Sequence, residues 1–95
     1  MKLGGEALRA GDATDRLLRA LVSLHRGERC GVVIVHGGGK ALTEHLSSLG
    51  LYSQMVDGIR VTPREQIDHV VEVLAGKVNV SIVSMLHVLG QRALG

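Results

Sequence analysis

Gly31-Val32-Val33-Ile34-Val35-His36, followed at once by Gly37-Gly38-Gly39, constrains this chain more than any other stretch. Four consecutive apolar β-branched residues leave no polar side to face water, so the run reads as a strand buried on both faces. Such strands belong to parallel sheets covered by helices. The glycines then turn the chain into a helix over 40–49, with Leu42, Leu46 and Leu49 inward and Gly50 as its stop. Glycine makes up 13 of the 95 residues, against a usual share of ~7%, and this turn holds its densest run.

Upstream, Asp12 is positioned to cap a first helix, with Asp15 three residues on. Leu17, Leu18, Leu21 and Leu24 follow on one helical face until Gly27, and Arg16, Arg19 and Arg26 form the solvated side. Downstream, residues 52–62 change period. Asp57-Gly58 is a two-residue hairpin signal, since both positions tolerate positive φ. On its second arm Ile59 and Val61 share a face, and Arg60 takes the other. Thr62-Pro63-Arg64-Glu65 reads as a capping box with Pro at the first helical position. Ile67, Val70, Val71, Leu74, Val78, Ile82, Met85 and Leu89 then recur in steps of one to four without losing phase. They predict one long helix over 63–89, bending at Gly76. Arg92-Ala93-Leu94-Gly95 reads as the opening of a further strand.

Composition narrows the function classes. Apolar residues are 45% and charged residues 21%, a globular balance that excludes a wholly disordered chain. A chain this short buries only ~60–65% of its unfolded surface, so its core is thin. One Tyr, no Phe and no Trp leave no stacking platform for single-stranded nucleic acid. A net charge of +2, scattered along the chain, argues further against a nucleic-acid partner. The longest apolar stretch, 78–89, is broken by Asn79, Ser81, Ser84 and His87, which makes it too short and too polar for a bilayer. A single Cys30 and the lack of a secretory signal point to a reducing, cytoplasmic setting.

The glycine turn is the first candidate for chemistry. Backbone N–H groups of consecutive glycines leading into a helix N-terminus make an anion or oxyanion site. A side chain there would hold a ligand away from the backbone and disfavour positive φ. A P-loop is excluded, because Ile34 stands where its first Gly belongs and Ala41 follows Lys40. The dinucleotide fingerprint fails too, since it needs Gly at Leu42. His36-Gly37-Gly38-Gly39 also matches the oxyanion loop of esterases, although no Gly-x-Ser-x-Gly accompanies it. Lys2, beside Gly4-Gly5, could set an ammonium against phosphate. Arg60 suits a bidentate carboxylate clamp. The five His residues show no metal-ligating spacing, so no metal site is expected, and Cys30 reads as an inert small residue. Lys77 and Asn79 read as polar groups of the long helix.

Taken together, four motifs resemble those of the acetylglutamate kinases, in the amino-acid kinase superfamily. They are Lys2-Leu3-Gly4-Gly5, Val35-His36-Gly37-Gly38-Gly39-Lys40, Val56-Asp57-Gly58-Ile59-Arg60-Val61-Thr62 and Leu74-Ala75-Gly76-Lys77-Val78-Asn79. The resemblance implies an α/β fold, a three-layer sandwich with a mainly parallel sheet, a substrate-lid hairpin and one long dimer helix. It implies transfer of the γ-phosphoryl of ATP, with Mg2+, to the side-chain carboxylate of N-acetyl-L-glutamate, in arginine biosynthesis. Lys2 would stabilise transition-state charge. Gly38 and Gly39 would meet the substrate, and Gly4, Gly5 and Gly37 would face phosphate. Arg60 would bind the substrate α-carboxylate, and helix 63–89 would form a homodimer. Residues 1–95 would be the acylglutamate-binding part. The nucleotide-binding half, the second catalytic lysine, its organising aspartate and a substrate-holding asparagine are expected to be absent. The chain alone is therefore expected not to turn over. A non-catalytic binding or dimerisation module of the same fold, another amino-acid kinase with a different acidic substrate, and an esterase-like oxyanion domain stay open at this point.

Overall fold

Two short parallel strands and two helices pack along one long helix. A computed structural model describes residues 1–4, 11–27 and 30–95. In chain order the elements are β1 (Lys2–Leu3), α1 (Asp12–Gly27), β2 (Val35–His36), α2 (Gly39–Ser48), β3 (Gln54–Val56) and β4 (Ile59–Val61). A continuous helical run, Arg64–Val88, follows. It opens with a 3-10 turn, Arg64–Gln66, and continues as α3 (Ile67–Val71), a π-helical segment (Glu72–Val78) and α4 (Asn79–Val88).

β1 and β2 pair in parallel, Lys2 against Val35 and Leu3 against His36. This confirms a parallel sheet but corrects the expectation of a strand buried on both faces. Only Val35 and His36 of the six-residue run are in the ladder, and Val33 and Val35 are 74% and 58% exposed. The reason is local supply of neighbours. Among the described residues β2 has one partner strand, so its other edge and its outer face have nothing to pack against. Leu3, on the inner face, is buried.

The core forms two clusters along the long helix. In the first, Leu18, Leu21 and Val22 of α1 meet Leu3, Ile82 and Leu86. In the second, Leu42 and Leu46 of α2 meet Val73. Val78 touches both clusters and joins them. On α1 the buried face is centred on Leu18 and turned from the predicted one: Thr14 and Val22 are inside, and Leu24 is exposed. Asp12 belongs to the first turn; the carbonyl of Gly11 accepts from the N–H groups of Thr14 and Asp15. Arg19 and Asp15 pair on the solvated side at 2.6 Å.

Glycines end two helices by the same device. Gly50 (φ 71°) and Gly90 (φ 78°) each follow a helix in the left-handed region. After α2 the N–H groups of Gly50 and Leu51 donate to Ser47 and Leu46; after α4 those of Gly90 and Gln91 donate to His87 and Leu86. This is the Schellman pairing, which satisfies carbonyls the helix leaves open. Leu49, expected inward, is exposed just before Gly50. Residues 91–95 form no strand among themselves; Ala93 packs on the first cluster instead.

The long helix starts differently from the prediction. Pro63 is extended (φ −60°, ψ 152°) and sits ahead of the helix, so Thr62 does not cap it. The Pro63 carbonyl accepts from the Gln66 N–H, and the Gln66 side chain reaches the Tyr52 carbonyl at 3.3 Å. Val70, Leu74, Val78, Ile82 and Leu86 line its inner side at four-residue steps. Each such step overshoots a full α-helical turn by ~40°. The π-helical winding of Glu72–Val78 opposes that drift. The adjustment is thus spread over a whole segment, with Gly76 only one member. Arg64–Val88, 25 residues with an 18-residue window of mean hydropathy 1.4, is long and apolar enough to cross a bilayer, and 17% of that window is buried. That is longer than the 78–89 stretch read from the sequence.

Candidate functional site

Parallel pairing decides where the candidate residues meet. Because β1 and β2 run the same way, the chain leaves both at one edge. The Gly37 N–H donates to the Leu3 carbonyl at 2.9 Å, which continues the ladder one step past the strands. Gly4 and the run Gly37-Gly38-Gly39 therefore lie side by side at the carboxyl ends of the two strands. In open parallel sheets this edge is where ligands bind. Lys2 is exposed on the outer face, in register with Val35. Gly5 lies outside the described residues.

The three glycines of the turn are not equivalent. None has positive φ; Gly38 has φ −178°, an extended value open to any residue. Gly38 is buried, and a Cβ there would lie 2.5 Å from Leu74 Cδ2 and 3.3 Å from Val78 Cγ2. Its smallness lets the long helix pass against the turn. Gly39 is exposed, and a Cβ there would meet nothing within 4 Å. Gly39 opens α2, so its backbone is the accessible part of the turn. Gly4 is likewise exposed and open.

Arg60 reaches this turn from the hairpin. β3 and β4 pair antiparallel with Val56 opposite Ile59 and Met55 opposite Arg60. Asp57 (φ 50°) and Gly58 (φ 76°) make the two-residue turn, as their sequence predicts. The hairpin's faces are inverted relative to a usual amphipathic ribbon. Ile59 and Val61 face solvent, and Arg60 is the half-buried residue between them. Its Nη2 donates to the Gly39 carbonyl (3.0 Å) and to Thr43 Oγ1 (2.7 Å), and its Nη1 donates to Ser53 Oγ. Thr43 Oγ1 in turn donates back to the Gly39 carbonyl at 2.9 Å. None of these contacts uses Nε. The guanidinium thus ties the hairpin across the first turn of α2, with positive charge at the glycine run.

Sequence reasoning missed several participants. Thr43 and Ser53 carry no local signal; they matter only because the hairpin folds onto α2. Asn79, read as a polar group of the helix, donates through Nδ2 to His36 Nε2 at 3.1 Å. His36 Nδ1 then donates to the Gly37 carbonyl at 3.2 Å. This pair fastens the long helix to the end of β2 where the π-helical segment ends, and such segments are frequent at functional sites. On the second half of α2, His45 comes together with His69 and Glu72 of the long helix, one ligand atom from each lying within 4.8 Å of the others. The only sequence trace of that cluster is the three-residue step from His69 to Glu72.

The whole chain, residues 1–95, matches the amino acid kinase family. Proteins named acetylglutamate kinase align with all of it. The one from Acidobacterium capsulatum is 42% identical over 95 residues, which cover 36% of that protein. The one from Methanoregula boonei is 38% identical over 96 residues, covering 32% of its length. The one from Neisseria meningitidis is 41% identical over 100 residues, again covering 32%. The chain thus spans about a third of the length of the curated relatives it matches. Since the match runs through every residue that builds the turn, the hairpin and the long helix, this chain belongs to the amino acid kinase family.

Proposed function

We propose that this chain is the acylglutamate-binding part of an acetylglutamate kinase. The observation that carries the reading is the meeting of Gly4, Gly37-Gly38-Gly39 and Arg60 at the carboxyl ends of β1 and β2. The name of the relatives supports the substrate, N-acetyl-L-glutamate. ATP, as co-substrate, supplies the phosphoryl group.

The geometry supports a division of labour. Arg60, through N–H groups beyond those bound to Ser53, Thr43 and Gly39, takes the α-carboxylate. The open Gly39 backbone, at the positive end of α2, faces the side-chain carboxylate and the transferring phosphoryl. Lys2 adds an ammonium from the exposed face of β1. Gly4, Gly5 and Gly37 let phosphate approach the backbone. Gly38 acts through packing, by holding the turn against Leu74 and Val78. Such a site works by positioning and electrostatics, with no covalent intermediate. Mg2+ would arrive with the nucleotide and neutralise charge on its phosphates.

The finer fold and the partners belong to the same reading. The exposed Val33 and Val35 support a reading in which further sheet and helix complete a three-layer sandwich. The long helix forms a homodimer, with part of the apolar face that its sequence suggests still uncovered. Val73, Ile82 and Leu86 are used up by α1 and α2, and the apolar residues left outside are Ile67, Val71, Val80 and Val88. A membrane role is disfavoured by Glu72 and Lys77 near the helix midpoint, where a Lys costs ~2.5–3.5 kcal/mol in a bilayer. The same reading takes the protein as cytoplasmic, with neither a nucleic-acid nor a membrane partner. Light scattering should give twice the monomer mass at high concentration; a clean monomer there contradicts the dimer.

Calorimetric titration with N-acetyl-L-glutamate tests the substrate reading. Arg60→Lys keeps the charge and loses the planar fork, so affinity should fall by ~1–3 kcal/mol, the scale of a charge-assisted hydrogen bond. Equal affinity in both proteins would remove Arg60 from the site.

A further inference from the structure

We propose that His45, His69 and Glu72 form a binding site for one divalent transition-metal ion, of the zinc class, which clips α2 to the long helix. The three candidate ligand atoms form a nearly equilateral triangle. His45 Nε2 lies 3.4 Å from His69 Nδ1 and 3.6 Å from Glu72 Oε2, and His69 Nδ1 lies 3.7 Å from Glu72 Oε2. Two atoms bound to one tetrahedral ion at ~2.1 Å lie ~3.4 Å apart, so these edges suit three corners of a zinc tetrahedron. An octahedral ion with bonds of that length would ask for edges of ~3.0 Å. Two imidazoles and one carboxylate are the donor set of zinc, nickel, copper or iron; magnesium and calcium favour oxygen.

The surroundings suit an ion that enters from solvent. The side chains of His45, His69 and Glu72 are 23%, 30% and 64% exposed, which leaves the fourth corner for water. Without an ion the two ring nitrogens face each other at a distance long for a hydrogen bond, with the rings tilted by 56°. His69 and Glu72 are neighbours on one helix at a three-residue step, and α2 brings His45 to them. The site is separate from the glycine run. An ion there would fix the far half of α2, the helix whose first turn carries Gly39 and Thr43.

The test is titration of the 95-residue chain with zinc chloride in competition with a chromophoric chelator. One ion per chain is expected. His45→Gln, His69→Gln and Glu72→Gln should each weaken binding at least tenfold, with Cys30→Ser and His87→Gln unchanged. Glu72→Gln is the decisive variant if a histidine variant fails to refold, because Glu72 is the most exposed of the three. Cobalt(II) added to the unmodified chain gives a reading free of substitutions. It should broaden the ring proton signals of His45 and His69 before those of His25, His36 and His87. No binding, loss of binding in Cys30→Ser, full binding in Glu72→Gln, or equal broadening of all five histidines would each overturn the proposal.

Discussion

Leu46→Ala should cost the chain ~2–5 kcal/mol, the range for truncating a buried leucine where the cavity cannot collapse. Leu46 is 1% exposed and is one of three buried residues in the second cluster, with Leu42 and Val73. With so few buried neighbours, little can move in to fill the void. A domain of this length carries ~5–15 kcal/mol in all, and this one leaves Val33, Ile59 and Val88 largely in water, which puts it at the low end. Its radius of gyration, 14.9 Å, exceeds the ~12–13 Å of a compact domain of equal length. The variant should therefore unfold in far less urea, with an unchanged slope. A loss below ~1 kcal/mol would mean that α2 is held mainly by something other than this cluster.

Gly38→Val and Gly39→Ala should part company, although the two glycines are adjacent. At Gly38 the new Cβ meets Leu74 Cδ2 at 2.5 Å. Leu74 is half-buried and can swing aside for one methyl, but valine adds two more toward Val78. Overpacking of this kind costs ~1–3 kcal/mol and pushes α2 away from the long helix. At Gly39 an Ala enters open space in the first turn of α2, where its better helix propensity adds up to ~1 kcal/mol. Gly39→Ala should keep or raise stability and still weaken binding of N-acetyl-L-glutamate, because the methyl stands where ligand approaches backbone. Urea unfolding and ligand titration of both variants check this. A stable Gly38→Val, or a Gly39→Ala that binds as well as the parent, would contradict the division between packing glycine and ligand glycine.

Local chemistry was legible in the sequence, and neighbours were not. The Asp57-Gly58 turn appears with both residues at positive φ, because the requirement lies wholly within those two residues. The Gly50 stop was readable for the same reason, and the long helix ends within a residue of its predicted bounds. The run 31–36 misled, since four β-branched residues describe a strand that wants two covered faces and cannot say whether they are covered. The glycine run was rightly seen as the turn into α2. Its middle member reads as a place for ligand approach, and the sequence does not reveal the packing need that Leu74 and Val78, thirty-six and forty residues away, add at Gly38. Arg60 stood out as the polar residue between two apolar ones, but its bonds to Thr43 and to the Gly39 carbonyl depend on how the hairpin folds over α2. His45 gave no hint of its position beside His69 for the same reason.

The most direct measurement is an amide NMR titration of the chain with two ligands, N-acetyl-L-glutamate and N-acetyl-L-glutamine. Both carry the α-carboxylate, and only the first carries the side-chain acid. If Arg60 holds the α-carboxylate and the glycine turn faces the side chain, both ligands should shift the Arg60 signals. Only N-acetyl-L-glutamate should then strongly shift Gly38 and Gly39. Identical shifts from both ligands along the glycine run, or no shift from either at Arg60, would contradict the proposed site.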